Sequence, residues 1–173
     1  WDFPKGTVLV KHFEVPGRRL ETRFFLLGED GVWFGFTYRW REDGSDAELL
    51  PEEPLDETFT VNGTTRTWHF PGRNECASCH TDAAGKALGV RTRQLNRDFF
   101  YETTGRSANQ LVTLNRLGFF SPAIDESRLG TVLTAKNQND SSATLERRAR
   151  SYLDANCSHC HQPAAPTQAA FDA

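Results

Sequence analysis

Apolar and polar residues alternate through Thr7–Val15. An extended chain there carries Val8, Val10 and His12 on one face and Leu9, Phe13 and Val15 on the other. Arg19–Leu27 and Val32–Trp40 are rich in aromatic and β-branched residues, and Glu29-Asp30-Gly31 between them reads as a hairpin turn. In the second of these segments Val32, Phe34, Phe36, Tyr38 and Trp40 share a face, a strong two-residue period. An acidic, proline-containing loop, Asp43–Asp56, follows. Phe59–Val61 and Thr64–His69 then flank Asn62-Gly63, the strongest short hairpin signal, before Pro71-Gly72 closes the β-region.

The pattern changes after Cys76. Asn96–Tyr101 and Ser107–Leu117 read as helices. The second has Ser107 as its N-cap, Ala108, Leu111, Val112 and Leu114 as its apolar face, and Gly118 as its stop. Residues 135–143 form a polar link. Thr144 opens a further helix toward Asn156, with Leu145, Ala149, Tyr152 and Leu153 at helical spacing. There is no long internal repeat, and the echo of Leu95-Asn96-Arg97 in Leu114-Asn115-Arg116 reads as coincidence.

All four cysteines fall in two CxxCH sequences, Cys76–His80 and Cys157–His161. This spacing is that of c-type haem attachment: the thiols form thioethers with the porphyrin vinyls, and the following histidine binds the iron. The competing reading, zinc held by paired Cys-x-x-Cys, does not require a histidine after each second cysteine. A thioredoxin-like motif needs one pair in a βαβ context, and a disulfide framework suits a smaller, loop-rich chain. The chemistry therefore points to two covalently attached c-type haems on Cys76, Cys79, Cys157 and Cys160, with His80 and His161 as proximal iron ligands.

The ligand opposite each proximal histidine sets the chemistry. Methionine is excluded, because the chain contains none. Of the remaining histidines, His12 and His69 are equal candidates for the distal position of the first haem. His159, inside its own motif, is expected to face solvent or bond a propionate. Only twelve residues follow His161, so the second distal ligand is expected from an upstream histidine or from beyond Ala173. Trp33, Trp40, Trp68, Phe99 and Tyr101 are expected to pack on one another or on a porphyrin. Arg73, Arg91, Arg93 and Arg97, near the first motif in sequence, are candidates for propionate pairing.

The net charge of −3, with acids and bases interspersed, argues against a nucleic-acid partner. No stretch has the apolar length of a membrane span. A chain starting at Trp1 without methionine is expected to be processed or part of a longer one. CxxCH haem attachment places it in the periplasm or outside the cell, with its leader removed.

Pro4-Lys-Gly-Thr-Val-Leu-Val-Lys-His-Phe13, Glu21-Thr22-Arg23, Trp68-His-Phe-Pro71 and Asn74-Glu-Cys-Ala-Ser-Cys-His80 form a motif series. Gln94-Leu-Asn-Arg97, Asn109-Gln-Leu111 and Arg150–Pro163 continue it. The series resembles that of a bacterial family of secreted dihaem c-type cytochromes of uncharacterised function. Some members are linked to quinoprotein sugar-dehydrogenase-like β-propellers, which implies an electron-accepting module. Members continue past their second CxxCH, which implies that part of the second haem module lies beyond residue 173.

The expectation is an α+β fold: an antiparallel β-region over residues 1–72, then a mainly α-helical cytochrome c-like haem-binding region over residues 73–173. The expected function is one-electron transfer outside the cytoplasm, with a dehydrogenase or another cytochrome as partner. The alternatives are a dihaem peroxidase-like enzyme with one open haem and a structural haem subunit of a larger complex.

Overall fold

The computed structural model describes residues 1–163 and 165. Its chain divides into two compact units, Trp1–Thr81 and Asp82–Ala173. The first CxxCH therefore belongs with the β-structure that precedes it.

In the first unit, β1 (Val8–Val15), β2 (Arg18–Leu27), β3 (Trp33–Trp40) and β4 (Ala47–Leu49) form an antiparallel sheet in the order β1-β2-β3-β4. A bulge lies between Phe13 and Glu14. β5 (Leu55–Val61) and β6 (Thr64–Phe70) form a separate hairpin. Its Asn62-Gly63 turn has positive φ at both residues, 49° and 75°, the mirror-image turn that suits strand twist. Helix α1 (Arg73–Cys79) follows.

Register sorts the sheet residues onto two faces. Leu9, Phe25 and Gly35 pair in one line across β1, β2 and β3, whereas His12, Thr22 and Tyr38 pair in a line of opposite parity. The face with Phe25 and Gly35 also carries Glu21, which is fully buried. Glu21 accepts from Arg23 Nε at 2.5 Å, from Arg23 Nη2 at 2.9 Å and from Trp68 Nε1 of β6 at 3.0 Å. Trp68 also meets Phe13 edge-on at 5.4 Å. One buried carboxylate thus fixes the β5–β6 hairpin on the sheet, alongside the buried Phe59 and Phe70.

The second unit departs from expectation. The chain as a whole is mostly β, 31% strand against 22% helix in three antiparallel sheets, and residues 73–173 are not a mainly α-helical cytochrome-like region. Short helices α2 (Thr92–Leu95), α3 (Gln110–Arg116) and α4 (Leu145–Asn156) are separated by a hairpin, a 3-10 turn at Glu126–Thr131 and irregular chain. The hairpin is β7 (Asp98–Tyr101) with β8 (Arg106–Asn109). It replaces the helix read at Asn96–Tyr101, because consecutive aromatics at 99–101 favour extended chain once a partner strand is in reach. Gly105, at φ 63°, supplies the turn. Ser107 is a strand residue. The cap of α3 is Asn109, whose Oδ1 accepts from Leu111 N at 2.9 Å and Val112 N at 3.4 Å. Gly118 ends α3 at φ 77°, and Thr144 caps α4.

Two asparagines hold the irregular chain in place. Asn96, buried, donates to Leu129 O at 3.0 Å and Val132 O at 3.1 Å and accepts from Asn109 at 3.0 Å. Asn115 exchanges hydrogen bonds with the backbone of Ile124 at 3.3 and 2.9 Å. The repeated Leu-Asn-Arg triplets therefore do the same work: each asparagine pins one end of the 124–132 segment.

Arg23→Ala leaves the Glu21 carboxylate buried without its cation and is expected to destabilise the protein by about 3–5 kcal/mol in urea unfolding. Adding Glu21→Gln should recover part of that loss. An Arg23→Ala cost within experimental error of zero would show that the buried Glu21 carboxylate does not depend on the Arg23 cation.

Candidate functional site

The first motif lies on α1 and the residue after it. α1 begins at Gly72, whose N–H donates to Glu75 Oε2 at 2.8 Å, and it ends with His80 N donating to Cys76 O at 2.9 Å. Cys76 and Cys79, three apart, and His80, four after Cys76, therefore leave one helical turn on one side. Gly35 of β3 makes room for this turn: a Cβ there would sit 2.7 Å from Cys76 Sγ. A glycine inside the aromatic run Trp33-Phe34-Gly35-Phe36 is the sequence signal for such an approach. Burial raises the Cys76 thiol pKa, with Arg23 opposing the shift.

The His80 ring lies 4.1 Å from the ring of Phe25, tilted by 40°. Phe25 in turn stacks on Trp33 at 4.6 Å and 9°. The imidazole expected to bind iron is thus held against a rigid aromatic pair on the sheet face that also receives Cys76. Neither Phe25 nor Gly35 was singled out by sequence reading.

The second motif follows α4 directly. Cys157 N donates to Leu153 O at 2.8 Å, and His161 N donates to Cys157 O at 2.9 Å. The closing bond matches that of the first motif, although one turn follows a β-hairpin and the other a 12-residue helix. The anchor of this second turn is ionic. Asp154 Oδ1 accepts from Arg91 at 3.3 Å and forms an ion pair with Arg93 at 3.0 Å, and Arg91 also donates to Ser158 Oγ within the motif at 3.2 Å. Ser158 is buried and returns a bond to Asp154 O at 2.7 Å. Two arginines that lie nearer the first motif in sequence thus serve the second. Arg73, by contrast, pairs with Glu52 at 2.8 Å.

The distal candidates are placed elsewhere. His12 bonds Thr22 Oγ1 at 2.7 Å on the sheet face opposite Phe25 and Gly35, so the structure does not bring it to the first motif. His69 Nδ1 lies 2.6 Å from Asp56 and its Nε2 lies 3.1 Å from Glu75. With a carboxylate on each nitrogen, the His69 pKa is raised, chiefly by Asp56. Both imidazole nitrogens are thus engaged by carboxylates, so His69 here serves as a clamp on Glu75, the cap of α1. Of the aromatic candidates, Trp33 joins a motif through Phe25. Trp40 bonds Thr22 at 2.8 Å, Trp68 bonds Glu21, and Phe99 meets Tyr101 at 5.2 Å. A ligand from the last residues of the chain lies outside the described residues.

All four cysteines are free thiols. The donor set of two thiols and one imidazole per turn fits thioether attachment with an axial nitrogen at both places. Among the described residues no helix is long and apolar enough to cross a membrane. Compared with known protein families, curated proteins and solved structures, the chain matches none.

Gly35→Ala should cost about 1–3 kcal/mol through the clash with Cys76, and distinctly less in a Cys76→Ala background. Equal costs in the two backgrounds would show that the cysteine is not what the glycine accommodates. The clamp on α1 also makes stability depend on pH. The raised His69 pKa contributes stability below its ordinary 6.5 and loses it as pH rises through the folded value. Glu75, lowered chiefly by its bond from Gly72 N–H, contributes above its ordinary 4.5 and loses it as pH falls through its folded value. The unfolding temperature should plateau between these pH values and decline on both sides, and His69→Gln should flatten the alkaline decline. An unaltered alkaline limb in that variant would assign it to another group.

Proposed function

We propose that this chain is a dihaem c-type cytochrome that transfers single electrons outside the cytoplasm, in line with the family it resembles. The electron donor is a dehydrogenase or another cytochrome of a multi-haem assembly. The observation that carries the reading is the repeated local geometry: in two unlike surroundings, CxxCH is a single helical turn closed from the histidine N–H to the first cysteine carbonyl. Such a turn holds both cysteines and the histidine within one turn of backbone, which supports attachment of one rigid macrocycle at each place.

Covalent haem would supply a one-electron iron couple at each turn. The chain's own residues set its surroundings. In the first unit, Phe25 orients the His80 ring and Trp33 backs Phe25, while the Glu21–Arg23 pair fixes a cation beside Cys76. In the second, Arg91, Arg93 and Asp154 fix the turn that carries Cys157, Cys160 and His161.

The test is production in a host with c-type haem maturation, followed by intact-mass and reduced pyridine spectra. Two covalent haems per chain are expected. Cys76→Ala with Cys79→Ala should leave one, as should Cys157→Ala with Cys160→Ala. A chain that matures without covalent haem, and holds zinc instead, would overturn the reading.

A further inference from the structure

The second unit contains a cavity of about 460 Å³ between the Leu133–Ala135 segment and one side of α4. Leu133, Ala135 and Leu153 supply apolar wall, and Arg93, Arg147 and Arg150 supply three guanidinium groups. The volume lies in the range of small-ligand sites. Charge on the walls is unbalanced. Asp154 neutralises Arg93 at 3.0 Å, and Arg150 has only a surface pair with Glu146, both side chains more than two-thirds exposed. Exposed i,i+4 pairs contribute little and exchange readily for a better partner. Among the described residues, no carboxylate pairs with Arg147.

The walls are held in place. Ala135 N donates to Arg93 O at 2.8 Å and Lys136 N donates to Ser151 Oγ at 2.9 Å, which ties the 133–136 segment to α2 and α4. Arg147, Arg150, Ser151 and Asp154 lie three or four apart along α4 and so share a side of the helix. Guanidinium groups carried on one side of a helix beside an apolar wall match one ligand chemistry above others, namely carboxylates on an apolar body taken by fork-shaped hydrogen bonds.

We propose that this cavity is a carboxylate-binding site, with Arg147 and Arg150 as its anion contacts and Leu133 and Leu153 as its apolar wall. Two sources carry that chemistry: the propionates of a haem on Cys157 and Cys160, or a free organic acid. Only the first source rests on the haem reading; the charge and shape of the cavity do not.

The experiment compares the mature protein with an Arg147→Gln/Arg150→Gln variant in two measurements. The first is calorimetric titration with succinate. The second is the pH dependence of the haem midpoint potentials. For a free acid, succinate binds the wild type and the variant binds it at least tenfold more weakly. For propionates, the pKa governing one midpoint rises by a unit or more in the variant, since a nearby cation lowers an acid's pKa. If neither the succinate titration nor the midpoint pKa differs between the two proteins, the proposal is overturned. A protein without covalent haem, seen in its pyridine spectrum, would defeat the haem reading alone, and the succinate arm would still decide the site.

Discussion

A single helical turn cannot hold itself in water, because nucleation fixes several backbone dihedrals for each hydrogen bond formed. Both CxxCH sequences in this chain are such turns, and both need outside support. The first, on the seven-residue α1, is supported at three points. Glu75 caps its N-terminus, His69 bridges Glu75 to Asp56, and Gly35 lets Cys76 lie against the sheet. The second follows α4 and is supported by the Arg91–Asp154–Arg93 cluster, with Arg91 also reaching the motif's own buried Ser158. The turn at each place thus depends on interactions with residues outside the five of its motif.

Those supports are largely ionic, and this suits a chain with few fully buried side chains. A sheet of four strands with half-exposed faces buries little apolar surface. The Glu21 carboxylate of β2 compensates by accepting from Trp68 of β6 while its charge is balanced by Arg23 on its own strand. A polar anchor of this kind specifies position more sharply than apolar packing does, since its hydrogen bonds are lost if the hairpin slides by one residue. The cost of such an arrangement is sensitivity to any change that leaves one member buried alone.

Much of the first unit was legible because two-residue alternation reports strands directly. The positive φ of Asn62 and Gly63 and the hairpin at Glu29-Asp30-Gly31 follow from turn chemistry alone. The second unit was less legible, because its segments are short and their state is decided by partners. Phe99-Phe100-Tyr101 suits either a helix face or a strand, and only the pairing with Arg106–Asn109 selects the strand. In α4 the helical period located the helix correctly, yet Leu145 is 73% exposed and Tyr152 51% exposed. It is the polar side, Ser151 and Asp154, that bonds to the rest of the unit. A periodic stripe reports that a helix forms; it does not report which side packs.

The histidines and arginines show the same limit at the level of function. Proximity in sequence suggested His69 and Arg91 as partners of the first motif. Asp56 and Glu75 instead occupy both nitrogens of His69, and Arg91 lies on Asp154 and Ser158. The choice in each case is made by a carboxylate more than ten residues away in at least one direction, which no local pattern contains. The motif residues themselves are different. Cys76, Cys79 and His80, like Cys157, Cys160 and His161, are related by spacings that a single helical turn converts directly into one donor set. Short-range geometry therefore makes the proposed attachment motif readable from sequence, while the groups packed around it are selected by the fold.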